Sequence, residues 1–278
     1  MTVLFFTLAV LVGAVVAGFV GSLSGLGGGI VIIPLLTLLL GVDIHYAIGA
    51  ALVSVVATST GAAAAYVKEG IANIRLGIFL EISTTLGAIV GALLSAVLPT
   101  SFIAIVFGLT LLFSAFNSLR RKQERIILES SLMAQKLQLA ATYQDHKGKH
   151  IPYGVQNVVG GFTMMGVAGM MSGLLGIGSG AFKVIAMDTI MKIPFKVSTT
   201  TSNFMMGVTA MASALIYIQK GYVVPAICMP VVIGVLLGAL LGTRVLLKTD
   251  TQKLKVFFAV LIMFLALNMI YNGFTGKI

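Results

Sequence analysis

The chain has 278 residues, of which 58% are hydrophobic and only 9% charged, and its mean hydropathy is +1.08. A soluble domain carries about 25% charged residues, so this composition excludes an ordinary water-soluble fold and points to a polytopic α-helical membrane protein; a membrane β-barrel would instead alternate in segments of about ten residues. The net charge of +10 sits mostly in short loops between apolar runs, which is the pattern that sets membrane topology, and it argues against nucleic acid as a partner.

The first apolar run, residues 3–20, begins without the basic region of a signal peptide and reads as a permanent span. It ends in a glycine-rich break, Gly21–Gly29 (GSLSGLGGG). The apolar arm that follows, roughly 30–40, is too short to cross a bilayer, since eleven helical residues reach only about 16 Å. Runs at 47–66, 76–98 and 101–119 complete a first repeat over 1–119. The only long polar stretch, 120–150, begins Arg120-Arg121-Lys122 and ends Lys149-His150. Within it Ile126, Met133, Leu137 and Ala140 recur at helical spacing, which predicts a surface amphipathic helix; a solvated linker is the alternative.

The second repeat, 151–278, opens with the run 153–175 and the break Gly169–Gly180 (GMMSGLLGIGSG). A short arm at 181–190 follows, then runs at 197–218, 223–243 and 256–271. Cys228 stands alone, which excludes an internal disulfide, and is read as a small buried hydrophobe. His45, His146 and His150 have no metal-ligand spacing, so no metal and no cofactor are expected.

The halves align. Gly27–Gly29 matches Gly178–Gly180, Gly49–Leu52 matches Thr200–Asn203, and Tyr66–Gly70 matches Tyr217–Gly221, all at an offset of 151. After a four-residue shift, Gly87 and Gly91 match Gly234 and Gly238. Placing the linker inside, and counting each broken hairpin as entering and returning on one side, puts 15 of the 18 lysines and arginines inside. That count favours inverted repeats, each a glycine-broken hairpin plus three spanning helices. The two tips then dip from opposite sides and meet near the midplane, where irregular backbone must be buried in protein or line a cavity.

Broken helices at matching positions of two halves mark a carrier's substrate site. Gly87, Gly91, Gly234 and Gly238 are read as packing residues. Gly27, Gly28, Gly29, Gly178, Ser179 and Gly180 are read as a site, because backbone amides at a helix start attract anions. The pairs Ser24-Gly25 and Ser172-Gly173 precede them. Lys183 follows the second tip inside an apolar arm. A lysine at membrane depth suits an anion site, or it snorkels to the interface. Thr201, Ser202 and Asn203 add hydrogen-bonding groups, with Ser54, Thr58, Ser59 and Thr60 in the other half. Glu81 is either a proton carrier or the ion-pair partner of Arg75 or Lys68, and the pairing is favoured. No catalytic constellation or nucleotide loop is present, so no enzyme activity is expected.

The two glycine breaks, Pro34 after the first, the Gly-Ala-Leu segments after Gly91 and Gly238, and the Tyr-x-x-x-Gly pattern at Tyr66 and Tyr217 resemble the TauE/SafE family of sulfite exporters. The resemblance covers nearly everything outside 120–150; Lys183 stands outside its pattern. It implies a prokaryotic cytoplasmic-membrane secondary carrier of a small sulfur-containing anion such as sulfite, thiosulfate or a sulfonate, with a proton or sodium ion as coupling partner. Alternatives are a carrier for another small anion such as a carboxylate, a passive anion channel, or an assembly subunit that transports nothing. Membrane lipid is a further expected partner of the basic inner loops.

Overall fold

The computed structural model describes residues 3–24, 28–68, 71–119, 127–144, 150–246 and 251–277. Gly25, Gly27, Glu69, Gly70, Arg120–Arg125, Ile126, His146, Lys147, Lys149 and Lys248 lie outside the described residues, as do the side chains of Ser24, Tyr66, Lys68, Arg244, Lys253 and Lys255.

Helix α1 (Val3–Ser24) leads to the first tip. Helix α2 (Gly29–Pro34) continues as a widened π turn (Leu35–Leu39) and forms the short arm. Helices α3 (Ile44–Lys68), α4 (Ile74–Ser95) and α5 (Thr100–Leu119) complete the first half. The second half repeats this order: α7 (Val158–Leu175), α8 (Gly180–Ile185) with a π turn (Ala186–Ile190), α9 (Phe195–Gln219), α10 (Pro225–Leu246) and α11 (Thr251–Thr275). Helices over Val3–Gly21, Ile74–Ser95, Thr100–Asn117, Val158–Leu175 and Phe195–Gln219 are long and apolar enough to cross a membrane. Apolar stretches Ile44–Thr60, Pro225–Leu241 and Ala259–Thr275 occupy the described parts of α3, α10 and α11. All eight expected spans are therefore helices, and both short arms exist as expected.

The linker departs from expectation. Instead of an amphipathic helix it forms one helical turn, α6 (Leu132–Lys136), and a hairpin of β1 (Ala141–Gln144) and β2 (His150–Tyr153). Met133, Leu137 and Ala140 are exposed, whereas Ala134, Leu139, Tyr143 and Tyr153 are buried. The apolar pattern that matters is the alternation Leu139, Ala141, Tyr143, a strand period. Gln138, at φ 51°, ends the helical turn. The fold is thus helical with a small antiparallel hairpin between its halves.

The repeat is more regular than the sequence alignment suggested. The starts of α2, α3, α4 and α5 at Gly29, Ile44, Ile74 and Thr100 recur at Gly180, Phe195, Pro225 and Thr251, each 151 residues later. Contacts obey the same offset. A Cβ at Gly87 would lie 2.1 Å from the Gly166 carbonyl oxygen, and one at Gly238 would lie 2.0 Å from that of Val15. Gly18 meets the Val235 carbonyl oxygen as Gly169 meets that of Thr84. The four-residue shift is therefore wrong: Gly87 corresponds to Gly238, and Ser172 to Gly21 rather than to Ser24. Glycines four apart lie on one helix face, so a slip of one turn matched them equally well.

These contacts explain the glycines. Helix α1 packs along α10, and α4 along α7, so closely that only glycine fits at Gly18, Gly87, Gly91, Gly169, Gly173 and Gly238. Each half thus lends its first helix to the other. Equivalent helices meet antiparallel. The start of α3 lies by the end of α9, where His45 stacks on Tyr222 and Gly49 meets the Tyr222 carbonyl, while Ser59 meets Gly207. Likewise, in α5 and α11, Gly273 faces Ser101 and Gly108 faces Ala266.

Candidate functional site

The two glycine tips meet. A Cβ at Gly29 would lie 2.9 Å from the Gly176 carbonyl oxygen and 3.5 Å from the Ala51 side chain. Gly178 faces Val55 and Met206, and Gly180 faces Met206 and Ser202. Residues 28–34 and 172–180 are buried throughout, so the meeting point is closed between α3 and α9.

The tips differ in backbone. Gly28 is right-handed, at φ −66°. In the second tip Gly176, Gly178 and Ser179 are all left-handed, at φ 69°, 67° and 48°. Glycine adopts that conformation freely, but a serine there carries strain of about 1–3 kcal/mol, a feature that clusters at functional sites. Ser179 occupies the N-cap of α8, yet its hydroxyl makes no capping bond. The hydroxyls of Ser179 and Ser172 are buried and have no hydrogen-bond partner among the described residues. A buried donor left unpaired costs about 1–3 kcal/mol. Nor do the amides of Gly178 and Ser179 donate to a backbone carbonyl among those residues. Ser202 closes the group by donating to the Gly180 carbonyl at 3.3 Å.

Other expected ligands stand elsewhere. The Thr201 hydroxyl accepts the Asn73 amide at 3.0 Å and so braces the start of α4. Gly173 is pressed against the Ala88 carbonyl, and its own carbonyl accepts from Tyr217 Oη. Asn203 is half-buried. Ser54, Thr58 and Thr60 bond to carbonyls of their own helix, as does Ser59 at 3.4 Å.

Lys183 does not snorkel. It is fully buried, and its ammonium donates to Thr209 Oγ1 at 2.5 Å. Thr209 Oγ1 in turn lies 2.6 Å from Glu81 Oε1, which also accepts from Thr85 at 3.2 Å. The favoured pairing of Glu81 with Arg75 is not formed: Arg75 is exposed and donates to Gln138 at 2.6 Å. Glu81 Oε2 is buried and without a partner among the described residues. The lysine, threonine and glutamate therefore form one buried array across α8, α9 and α4. Thr209 escaped the sequence reading because a helical hydroxyl ordinarily bonds its own helix, as this one also does to the Met205 carbonyl at 3.0 Å, and nothing in the sequence joins it to a glutamate 128 residues away. Among the described residues no cluster of histidine, cysteine, aspartate or glutamate can hold a metal ion.

Comparison with known proteins gives one direction. A family model described as "Sulfite exporter TauE/SafE" matches residues 10–269. The chain is 29% identical to the "Probable membrane transporter protein YunE" of Bacillus subtilis (strain 168) over 275 residues, covering 96% of this chain and 98% of that one. It is 24% identical to the "Probable membrane transporter protein YdhB" of the same organism over 230 residues, 83% of this chain and 84% of the other. No solved structure gives a significant match.

Proposed function

This chain belongs to the sulfite exporter TauE/SafE family, a family of membrane transporters rather than enzymes, and from that premise we propose that it is a secondary carrier of a small sulfur-containing anion: sulfite, thiosulfate or an organosulfonate. The halves are inverted repeats. The antiparallel packing of α3 on α9 and of α5 on α11, each pair related by the offset of 151, supports this, because a two-fold axis lying across the helices reverses their direction. The linker faces the cytoplasm, and the protein resides in a prokaryotic cytoplasmic membrane.

The observation that carries the reading is the closed junction of the two tips, with two buried hydroxyls beside it that have no partner among the described residues. An oxyanion placed there would accept from Ser172, Ser179 and the amides of Gly178 and Ser179, with the Gly28–Gly29 backbone opposite. A buried site of amides and hydroxyls favours an anion. Ser202 stands beside it, bonded to the Gly180 carbonyl, and Lys183 supplies positive charge on the same arm. Alternating access follows when one half rocks against the other around the tips.

The test is efflux from proteoliposomes loaded with radiolabelled sulfite, thiosulfate or methanesulfonate. Wild type should release at least one of them, and the Ser172→Ala/Ser179→Gly double variant should do so at least tenfold more slowly. Release of acetate alone, or equal rates from the variant, would sink the proposed substrate and site.

A further inference from the structure

Thr209 and Glu81 lie outside the tips, and the array that Lys183, Thr209 and Glu81 form occurs once among the described residues. Their counterparts at the 151 offset are Ile32, Thr58 and Val232. Thr58 bonds to its own helix at 3.0 Å. The array therefore joins a buried cation and a hydroxyl of the second half to a buried acid of the first, whereas the equivalent positions hold two apolar side chains and a threonine.

The polarity of the array is set by its donors. An ammonium has protons only to give, so Thr209 Oγ1 accepts from Lys183, and its own proton faces two acceptors, Glu81 Oε1 at 2.6 Å and, farther off, the Met205 carbonyl at 3.0 Å. With Thr85 also donating, Oε1 is satisfied as a carboxylate oxygen. Oε2 takes part in none of this. Glu81 and Thr85 stand in the wall of an apolar groove with Ile78, Ile82, Phe204 and Val208. The groove runs along α4, and Glu81 is six residues, about 9 Å, past Arg75 near the linker end of that helix. Among the described residues, charged groups facing Glu81 are few. Helix α7, packed along α4, carries none; α9 carries Lys196, thirteen residues before Thr209; the α8 arm brings Lys183, followed by Asp188; and Arg75 on α4 is bound to Gln138.

Resting on the anion-carrier reading, we propose that this array couples each anion to one proton, which Glu81 takes up at Oε2 from the linker side when the anion engages Lys183. Two opposite charges buried together compensate each other, but a second anion beside the same ammonium leaves the glutamate uncompensated, and an unpaired charge in that setting is strongly disfavoured. Protonation removes it. Before binding, the ammonium faces a carboxylate; after binding, it faces the anion, and Glu81 is a neutral acid. The net charge of the site is unchanged when a monovalent anion and a proton enter together. Lys183 sits three residues past Gly180, so the arm that carries the tip also carries the cation the two ligands share.

The experiment is calorimetric titration of purified full-length protein with methanesulfonate and with thiosulfate, neither of which titrates near neutral pH. Each is run in two buffers of different ionisation heat. About one proton should be taken up per anion bound, and affinity should fall about tenfold per pH unit on the alkaline side. Glu81→Gln should bind with no proton uptake and a flat pH profile. Binding by wild type with no proton uptake overturns the coupling and leaves the carrier reading standing. Absence of binding by either anion overturns both. Since the proton count is read on wild type, the coupling is decided even where Glu81→Gln fails to fold.

Discussion

Thr209→Val tests the buried array directly. The two side chains have nearly the same shape, so the change removes one hydroxyl and adds no cavity. Among the described residues that hydroxyl is the partner of Lys183 Nζ, at 2.5 Å, and one of two donors to Glu81 Oε1, at 2.6 Å. Hydrogen bonds to charged groups contribute about 1.5–3 kcal/mol each. Leaving a buried charge without its partner costs about 3–5 kcal/mol, so the expected loss is about 3–5 kcal/mol. The counterpart Thr58→Val removes only bonds to the Ser54 and Val55 carbonyls of its own helix, at 3.0 and 3.2 Å. These satisfy acceptors already paired in the helix, and about 1 kcal/mol or less should be lost there. Thermal unfolding in detergent separates the two. At roughly 2 °C per kcal/mol for a chain of this size, Thr209→Val should melt about 6–10 °C below wild type and Thr58→Val within about 2 °C. Equal shifts for the two variants would mean that Lys183 and Glu81 do not depend on the threonine, and the buried array would have no energetic meaning.

Gly87→Ala and Gly238→Ala should destabilise by similar amounts, about 1–3 kcal/mol or more, because each new methyl meets a carbonyl oxygen at 2.1 and 2.0 Å; melting of the two variants checks the 151 register. Ser179→Gly should stabilise the protein by about 1 kcal/mol or more, since it relieves a left-handed serine and removes a buried hydroxyl that has no partner among the described residues, while anion binding measured on the same sample weakens. In the hairpin, burial pushes the Tyr153 phenol up from 10.0 to about 12, against a smaller opposing effect of the Asn73 hydrogen bond. A folded-state value above the unfolded one gives stability that is present below pH 10 and lost as pH rises toward about 12; denaturation followed across that window should lose part of its slope in Tyr153→Phe.

Much of the architecture was legible in the sequence because bilayer-spanning helices must be long and apolar, and that demand is local. The broken hairpins were legible for the same reason: glycine runs interrupt such a pattern visibly, and the short arms after Gly29 and Gly180 were placed within a residue or two. The linker was misread because Met133, Leu137 and Ala140 fit a helix by spacing, while the buried set Leu139, Tyr143 and Tyr153 is defined by a hairpin whose strands lie several residues apart. At the site, Lys183 stood out by the cost of its charge, but its partner did not. Thr209 is one of many hydroxyls in α9, and its bond to Glu81 exists only because α4 and α9 pack side by side. Thr201 illustrates the reverse: it lies beside Ser202 in sequence, yet one step around the helix turns it toward Asn73 and away from the tip.

The meeting of the two tips as an anion site is tested most directly by melting the purified protein against rising sulfite, thiosulfate and methanesulfonate, with acetate alongside, for wild type and Ser172→Ala/Ser179→Gly. A ligand at about 100 times its dissociation constant stabilises the folded state by about 2.7 kcal/mol. Wild type should show such a rise with at least one sulfur oxyanion, and the double variant should lose it. A rise of equal size in both proteins, or none with any sulfur oxyanion, would contradict the account.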